Sequence, residues 1–278
     1  MSKRVGVTSM AILDNEGALK RAALLFDQVL LINHKGGEFL IPEKFKWLED
    51  SQVIHRADQP FFENGKEVLD PGKINAGDIL KAEFPTFLEG KRGFVSLFDL
   101  QFRGIPFALR ERLGWDATCF RSRPKDRLSS LPEGRARVVD VILRILPRPD
   151  DATSWEEILK WRANKAVEEK LTRLVRWISN VNVGNFDSSA LEDEIRCLMD
   201  DYTAFMKLHE IDSSAGVSKT AMVTIIEVLE KAVSLRWGQA ANTLFDVADG
   251  GIKFIEAERN APGRDVAYLV EARKTFHS

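Results

Sequence analysis

Between Val5 and Asp58 the chain alternates β-type runs with helical patterns, and that alternation restricts the possible folds more than any other feature. VGVTSM is a short apolar strand candidate, and EGALKRAALLF places Ala18, Ala22, Leu25 and Phe26 on one helical face. QVLLIN is a second β-type run, PEKFKWLED opens a helix with proline at its first position, and SQVIHRAD gives a third strand. A βαβαβ order favours an open, mainly parallel sheet with crossover helices, whose ligand sites lie beyond the carboxyl ends of the strands.

From Gln59 to Gly93, Pro60, Pro71, Gly72, Gly77, Pro85 and Gly90 punctuate the pattern, which predicts short helices and loops. Phe94, Leu97, Phe98, Phe102 and Ile105 then recur at helical spacing, with Gly104 and Pro106 expected to kink or divide the helix. DATCFRSRPKDRLSSLPEGR is expected to be an exposed, basic connection. RVVDVILRILP is ambiguous by period, since a helix would gather Val138, Val139, Ile142, Ile145 and Leu146. Its β-branched content and the stop at Pro147 favour a fourth strand with Val139, Val141, Leu143 and Ile145 buried.

After residue 149 the grammar changes. SWEEILKWRANKAVEEKLTRLVRWISN keeps a slowly drifting apolar stripe from Trp155 to Ile178, read as one long helix. SSALEDEIRCLMDDYTAFMKLHEI repeats the pattern, and the stretch from Ser218 to Asp249 is apolar over the widest arc and is expected to be the most buried helix. The expected fold is therefore α+β. Residues 1–149 form an α/β region with a small, mainly parallel sheet, and residues 150–278 form an antiparallel helical bundle.

The joint between these halves, ILPRPDDATSWEEILKWRANK, has its own chemistry. Pro147 and Pro149 remove backbone donors and bias the residues before them toward extended geometry. Ser154 and Glu157 have the spacing of a capping box, and Asp150, Asp151 and Glu156 favour the positive end of the helix they precede. The acidic pair also has the position of catalytic carboxylates at a strand end, but no acid lies in VGVTSM to converge with it. Arg162 falls within the apolar stripe and needs a carboxylate or carbonyl partner, for which Asp140 or Asp151 is expected.

The net charge of −2 divides unevenly: −2 over residues 1–102, +6 over 103–148 and −6 over 149–278. The basic segment carries Arg110, Arg112, Arg121, Arg123, Lys125 and Arg127 with Phe107, Trp115 and Phe120 interleaved, so it is the candidate nucleic-acid surface. The competing reading is internal neutralisation by the acidic C-terminal half, and a pI near 6.2 gives no global basic footprint.

Other chemistries find little support. SSAGVSKTA ends like a phosphate-binding loop, yet Ser218 stands where a glycine must precede the lysine, and GVTSM lacks a dinucleotide fingerprint. No nicotinamide or flavin cofactor is expected. His34, His55, His209 and His277 show no ligand spacing, so no metal is expected. Neither cysteine has a nucleophile's context and no G-x-S-x-G elbow occurs, so no catalytic motif is recognisable. Two cysteines 78 residues apart fit reduced thiols, no secretion signal is visible, and no run of about 18 apolar residues suggests a membrane span, so the expected compartment is the cytoplasm.

The joint segment, together with ALKRAALLFDQVLLI upstream and DVAYLVEARKTF near the end, resembles a broad group of bacterial proteins of unknown function. In that group an lPxPd…sWeeIlxfR segment links an N-terminal α/β part to a helical C-terminal part. The resemblance implies an accessory protein from mobile-element or phage-defence gene neighbourhoods and transfers no catalytic residues. Residues 219–250 depart from the group in being more charged. The function expected is contact with a protein partner or with further copies of the chain. The alternative is a nucleic-acid-binding or nucleic-acid-processing enzyme that uses residues 103–148.

Overall fold

The computed structural model describes residues 2–33, 40–63, 66–70, 73–84, 88, 97–121, 134–181, 187–208 and 257–276. The chain is α+β, with a small all-parallel sheet in its N-terminal part and mostly helices later. β1 (Arg4–Ser9), α1 (Glu16–Leu25), β2 (Gln28–Ile32), α2 (Lys46–Asp50) and β3 (Ile54–Arg56) follow in the order the alternation predicts. Both faces of β1 and β2 are covered, which is why these strands read as continuous apolar runs rather than as alternating ones.

The sheet order is β3-β2-β1-β6, and β6 is Asp116–Cys119, within the stretch expected to be an exposed connection. That expectation is corrected at its first residues: Val5 pairs with Ala117 and Val7 with Cys119. Four residues with one β-branched side chain carry little intrinsic strand signal, so tertiary pairing with β1 decides the outcome. The fourth strand expected at RVVDVILRILP is likewise corrected. Arg135–Ile145 is a helix, α5, burying Val138, Val139, Val141, Ile142, Leu143 and Ile145. Its β-branched residues are tolerated because burial on several sides outweighs a propensity difference of a few tenths of a kcal/mol. Pro147 ends a helix as readily as a strand, and Leu146 leaves α5 with extended backbone.

Between β3 and β6 lie an antiparallel hairpin, β4 (Phe61–Glu63) with β5 (Lys66–Leu69), and two helices, α3 (Ala76–Glu83) and α4 (Leu97–Leu113). α4 is one helix through Gly104 and Pro106 and is not divided there. Its Phe102, Ile105, Ala108 and Leu109 pack on Val5, Val7, Leu30 and Cys119 of one sheet face, and this burial offsets the ladder hydrogen bond that Pro106 cannot donate. On the opposite face, Gly6 lies beneath the stacked rings of Phe26 and Phe120, whose centroids are 5.2 Å apart. A Cβ at Gly6 would stand 2.7 Å from Phe120 Cε1 and closer still to Phe26, so only glycine allows the two rings to meet there.

The single long helix expected after the joint is two helices, α6 (Trp155–Arg162) and α7 (Lys165–Asn180). The break comes at Asn164, whose side chain accepts from Ala166 N at 3.0 Å and starts α7 as a new cap. α8 (Ser188–Leu208) follows, and α9 (Ala267–Phe276) lies near the end of the chain. The chain divides into two compact units, residues 1–192 with 276–278, and residues 193–275. Within the second unit, Gly263 adopts a left-handed φ of 68° against the backbone of Leu198, and Ile195, Met199, Tyr202, Val266, Tyr268 and Leu269 are buried. The stretch expected to be the most buried helix lies outside the described residues.

Candidate functional site

The carboxyl end of β1 leads directly into a cleft. Ser9 Oγ accepts from Ala11 N at 3.1 Å and starts a 3₁₀ turn over Met10–Asp14. Asn15 then caps α1 by accepting from Ala18 N at 3.1 Å. The joint is laid across this helix start. Arg148 spans Gly17 so closely that a Cβ there would lie 3.0 Å from Arg148 Cγ and closer to Nε, and its Nη2 donates to Asn15 Oδ1 at 2.9 Å. Lys20, only 2% exposed, donates to the Asp150 carbonyl at 3.2 Å and pairs with Glu16 at 3.3 Å. Glu16 also accepts from Trp155 Nε1 at 3.2 Å and from Lys44 Nζ at 3.4 Å. Burial would raise the Glu16 pKa, but the hydrogen bonds and charges of Lys20 and Lys44 outweigh it and hold the carboxyl below its usual range.

The result is a polar cleft of about 540 Å³. Asp14, Asn15, Glu16 and Gly17 form its α1 side, and Lys44, Arg148 and Asp151 close it. It lies at the position where open parallel sheets carry their ligand sites. The sequence places the joint carboxylates at a strand end but does not announce that Asp14, Glu16, Gly17, Lys44 and Arg148 line the same cleft. The available signal was the Glu16/Lys20 pair at i, i+4 together with charges inside an otherwise apolar helix.

The residues singled out in the joint are committed to local structure. Pro147 and Pro149 are buried, and the Asp150 carboxylate accepts from Thr153 N at 2.6 Å and Thr153 Oγ1 at 2.7 Å, bonds that lower its pKa. Ser154 Oγ accepts from Glu157 N at 3.1 Å while Glu157 Oε2 accepts from Ser154 N at 2.8 Å, a reciprocal capping box. Arg162 reaches neither Asp140 nor Asp151. It donates to the Ala23 carbonyl at 2.7 Å, to the Phe26 carbonyl and to Asp27 Oδ1. Asp27 also receives Arg4 through Nη2 at 2.7 Å and the backbone N at 2.8 Å. Burial alone would raise the Asp27 pKa, but the two arginines prevail and lower it. Asp27 lies before β2, at the amino end of the sheet, away from the cleft. Asp140 instead faces Arg144 at 4.0 Å, and burial raises its pKa despite the neighbouring charges of Arg121 and Arg144.

The basic segment does not converge on one surface among the described residues. Arg110 turns inward, donating to the Ala117 carbonyl and to Glu83, each at 2.9 Å. Arg103 donates to the Glu83 carbonyl at 2.8 Å and lies over the Phe84 ring, and Arg135 pairs with Asp116. Arg112 is exposed and Arg121 half-buried, whereas Arg123, Lys125 and Arg127 lie outside the described residues. Of the interleaved aromatics, Trp115 and Phe120 are buried in the core, where they cannot stack on bases. Arg144 reaches Glu192 at 3.7 Å, so the cations of this segment find acids on both sides of it in sequence.

His55 packs on Phe61 with ring centroids 4.5 Å apart, and its Nε2 is buried with no hydrogen-bond partner among the described residues. Cys119 is buried and its thiol is pushed up to about 12, mainly by burial, while Cys197 is exposed. Among the described residues no group of three or more His, Cys, Asp or Glu side chains could hold a metal ion, and no helix is long and apolar enough to cross a membrane. His34, His209, His277 and the Ser-Lys-Thr segment at 218–220 lie outside the described residues.

Fold and cleft together define an α+β protein with a polar cleft at the carboxyl end of a parallel sheet. No family model, curated protein or solved structure matches this chain.

Proposed function

We propose that the chain is an accessory protein that acts by contact with a protein partner, through the face that surrounds the joint. The observation that carries this reading is Trp47. Its side chain is 41% exposed and meets the buried Trp155 edge-on, with ring centroids 6.3 Å apart, so a large aromatic is held in a fixed orientation at the surface. Rigid aromatics beside charged groups supply most of the free energy in protein interfaces. Leu40, 65% exposed, precedes the same turn into α2, and Lys44 and Arg148 provide a polar rim. The bacterial and defence-associated setting belongs to the same proposal and rests on the resemblance described above, while a cytoplasmic location rests on the two widely spaced cysteines and the absence of a visible secretion signal.

The test is affinity purification of the full chain from its source organism, comparing wild type with Trp47→Ala and identifying protein and nucleic acid in both. A protein retained by the wild type and lost from the variant, with the unfolding midpoint unchanged, supports the reading. Recovery of nucleic acid that survives Trp47→Ala and falls away with salt favours the nucleic-acid alternative instead.

A further inference from the structure

His55 pairs in register with Leu30, so its ring stands on the sheet face that carries Val5, Val7 and Leu30. Phe61, which opens the β4–β5 hairpin, covers that ring with centroids 4.5 Å apart and meets Trp115 edge-on at 6.0 Å. One ring nitrogen bonds to the Gln59 backbone, and the other, Nε2, is buried with no hydrogen-bond partner among the described residues. A neutral imidazole has one N–H to satisfy, whereas the charged ring has two. A proton on Nε2 would therefore be buried at this contact without an acceptor, which is costly.

The charges around the ring give it no relief. Lys3, whose Nζ sits 4.5 Å over the Trp115 ring, and Arg56 disfavour a charged imidazole, while Asp58, which favours one, is bound by Arg56 at 3.1 Å. β2 carries no charged residue, and Phe102, Ile105 and Ala108 of α4 are apolar. On the β5 side of the hairpin, Glu67 and Asp70 are each bound by Lys73 at 3.0 Å. The hairpin that covers His55 is marginal as an isolated two-stranded unit, and it is held to the core through Phe61, Val68 and Leu69.

We propose that protonation of His55 releases the β4–β5 hairpin while the parallel sheet stays folded, an acid-operated latch that uncovers the apolar face around Trp115. Lifting Phe61 brings Nε2 to water and leaves the pairing of β1 with β2 and β6 untouched. The direction follows from linkage. Burial lowers the ring's pKa while the hairpin is closed, and release returns it toward 6.5, so acid favours the open form. Between those two values the open-to-closed ratio rises by at most about tenfold per pH unit. The latch needs neither Trp47 nor the polar cleft.

Hydrogen exchange of the full chain, read by mass spectrometry between about pH 7.5 and 5 and corrected for the intrinsic pH dependence of amide exchange, tests the latch. Peptides covering residues 61–69 should lose protection by up to about tenfold per unit below about pH 6.5, while those covering Gln28–Ile32 keep theirs. His55→Phe keeps a ring against Phe61 that cannot be charged, and it should make protection of 61–69 independent of pH. His55→Gln, which also cannot be charged, should do the same if phenylalanine overfills the site. The comparison of the two segments in the wild type decides even if neither variant folds. The proposal is overturned by protection of 61–69 that does not fall with pH, or that falls only together with Gln28–Ile32. A fall of the same size in the uncharged variants overturns it as well.

Discussion

Arg162 is bound to Asp27 across 135 residues of sequence, and the same carboxylate is held from its other side by Arg4. This three-residue cluster ties α6 to the turn between α1 and β2. Removing one member leaves charge partly buried without compensation. Arg162→Met should destabilise the fold by about 2 to 4 kcal/mol in denaturant titrations, and Asp27→Asn by a similar amount. The double variant should cost less than the sum of the two, because each single change forfeits the same contact.

Asp27 also gives a pH dependence. Its pKa is lower folded than unfolded, so the unfolded chain holds the proton more tightly. The stabilisation is complete above the unfolded carboxylate pKa and declines as pH falls through the folded one. Unfolding midpoints measured from pH 6 downward should fall less steeply for Asp27→Asn than for the wild type.

His55 acts in a higher window. Burial lowers its folded pKa from 6.5, aided by Lys3 and Arg56 and opposed by the Gln59 backbone and Asp58. The neutral ring is the folded form, so stability is full above about pH 6.5 and declines below it as the unfolded chain takes up the proton. His55→Phe, which keeps the ring against Phe61, should flatten the stability profile between pH 7 and 5 while leaving the region above pH 7 unchanged.

Ser154→Ala removes the hydroxyl that caps α6 and should cost about 1 kcal/mol, read by chemical unfolding. Ser154→Asp, which retains an acceptor at the cap, should recover most of it.

Gly6→Ala places a methyl group into the stacked pair of Phe26 and Phe120 and should destabilise by about 2 to 3 kcal/mol. Phe120→Leu in the same chain should relieve part of that loss, which distinguishes the clash from an effect of backbone conformation.

The first three strands and the helices between them were legible because Val5–Ser9 and Gln28–Ile32 are mostly apolar, buried along their length, and separated by a helical pattern. β6 was not, because DATC has almost no local signal and exists through its pairing with β1. RVVDVILRI misled for the opposite reason: its β-branched residues satisfy a strand, yet packing on several sides suits a helix. The break at Asn164 was hidden by an apolar stripe that continues past it. In the cleft, the joint was visible from its prolines and acids, whereas its seat on α1 depends on Arg148 and Gly17, 131 residues apart, with no spacing to announce the contact. Arg162 announced only that it needed a partner.

The position of β1 between β2 and β6 has a consequence for how the molecule assembles. β1 is made first, but one of its two neighbours is not reached until Asp116. Until then the hydrogen-bonding groups of Arg4–Val7 on that side have no strand to pair with, so a nascent or truncated chain ending before Cys119 carries an open apolar sheet edge. Closure of the sheet requires a pairing of long sequence separation, Arg4 with Asp116, and so carries a loop-closure cost in entropy.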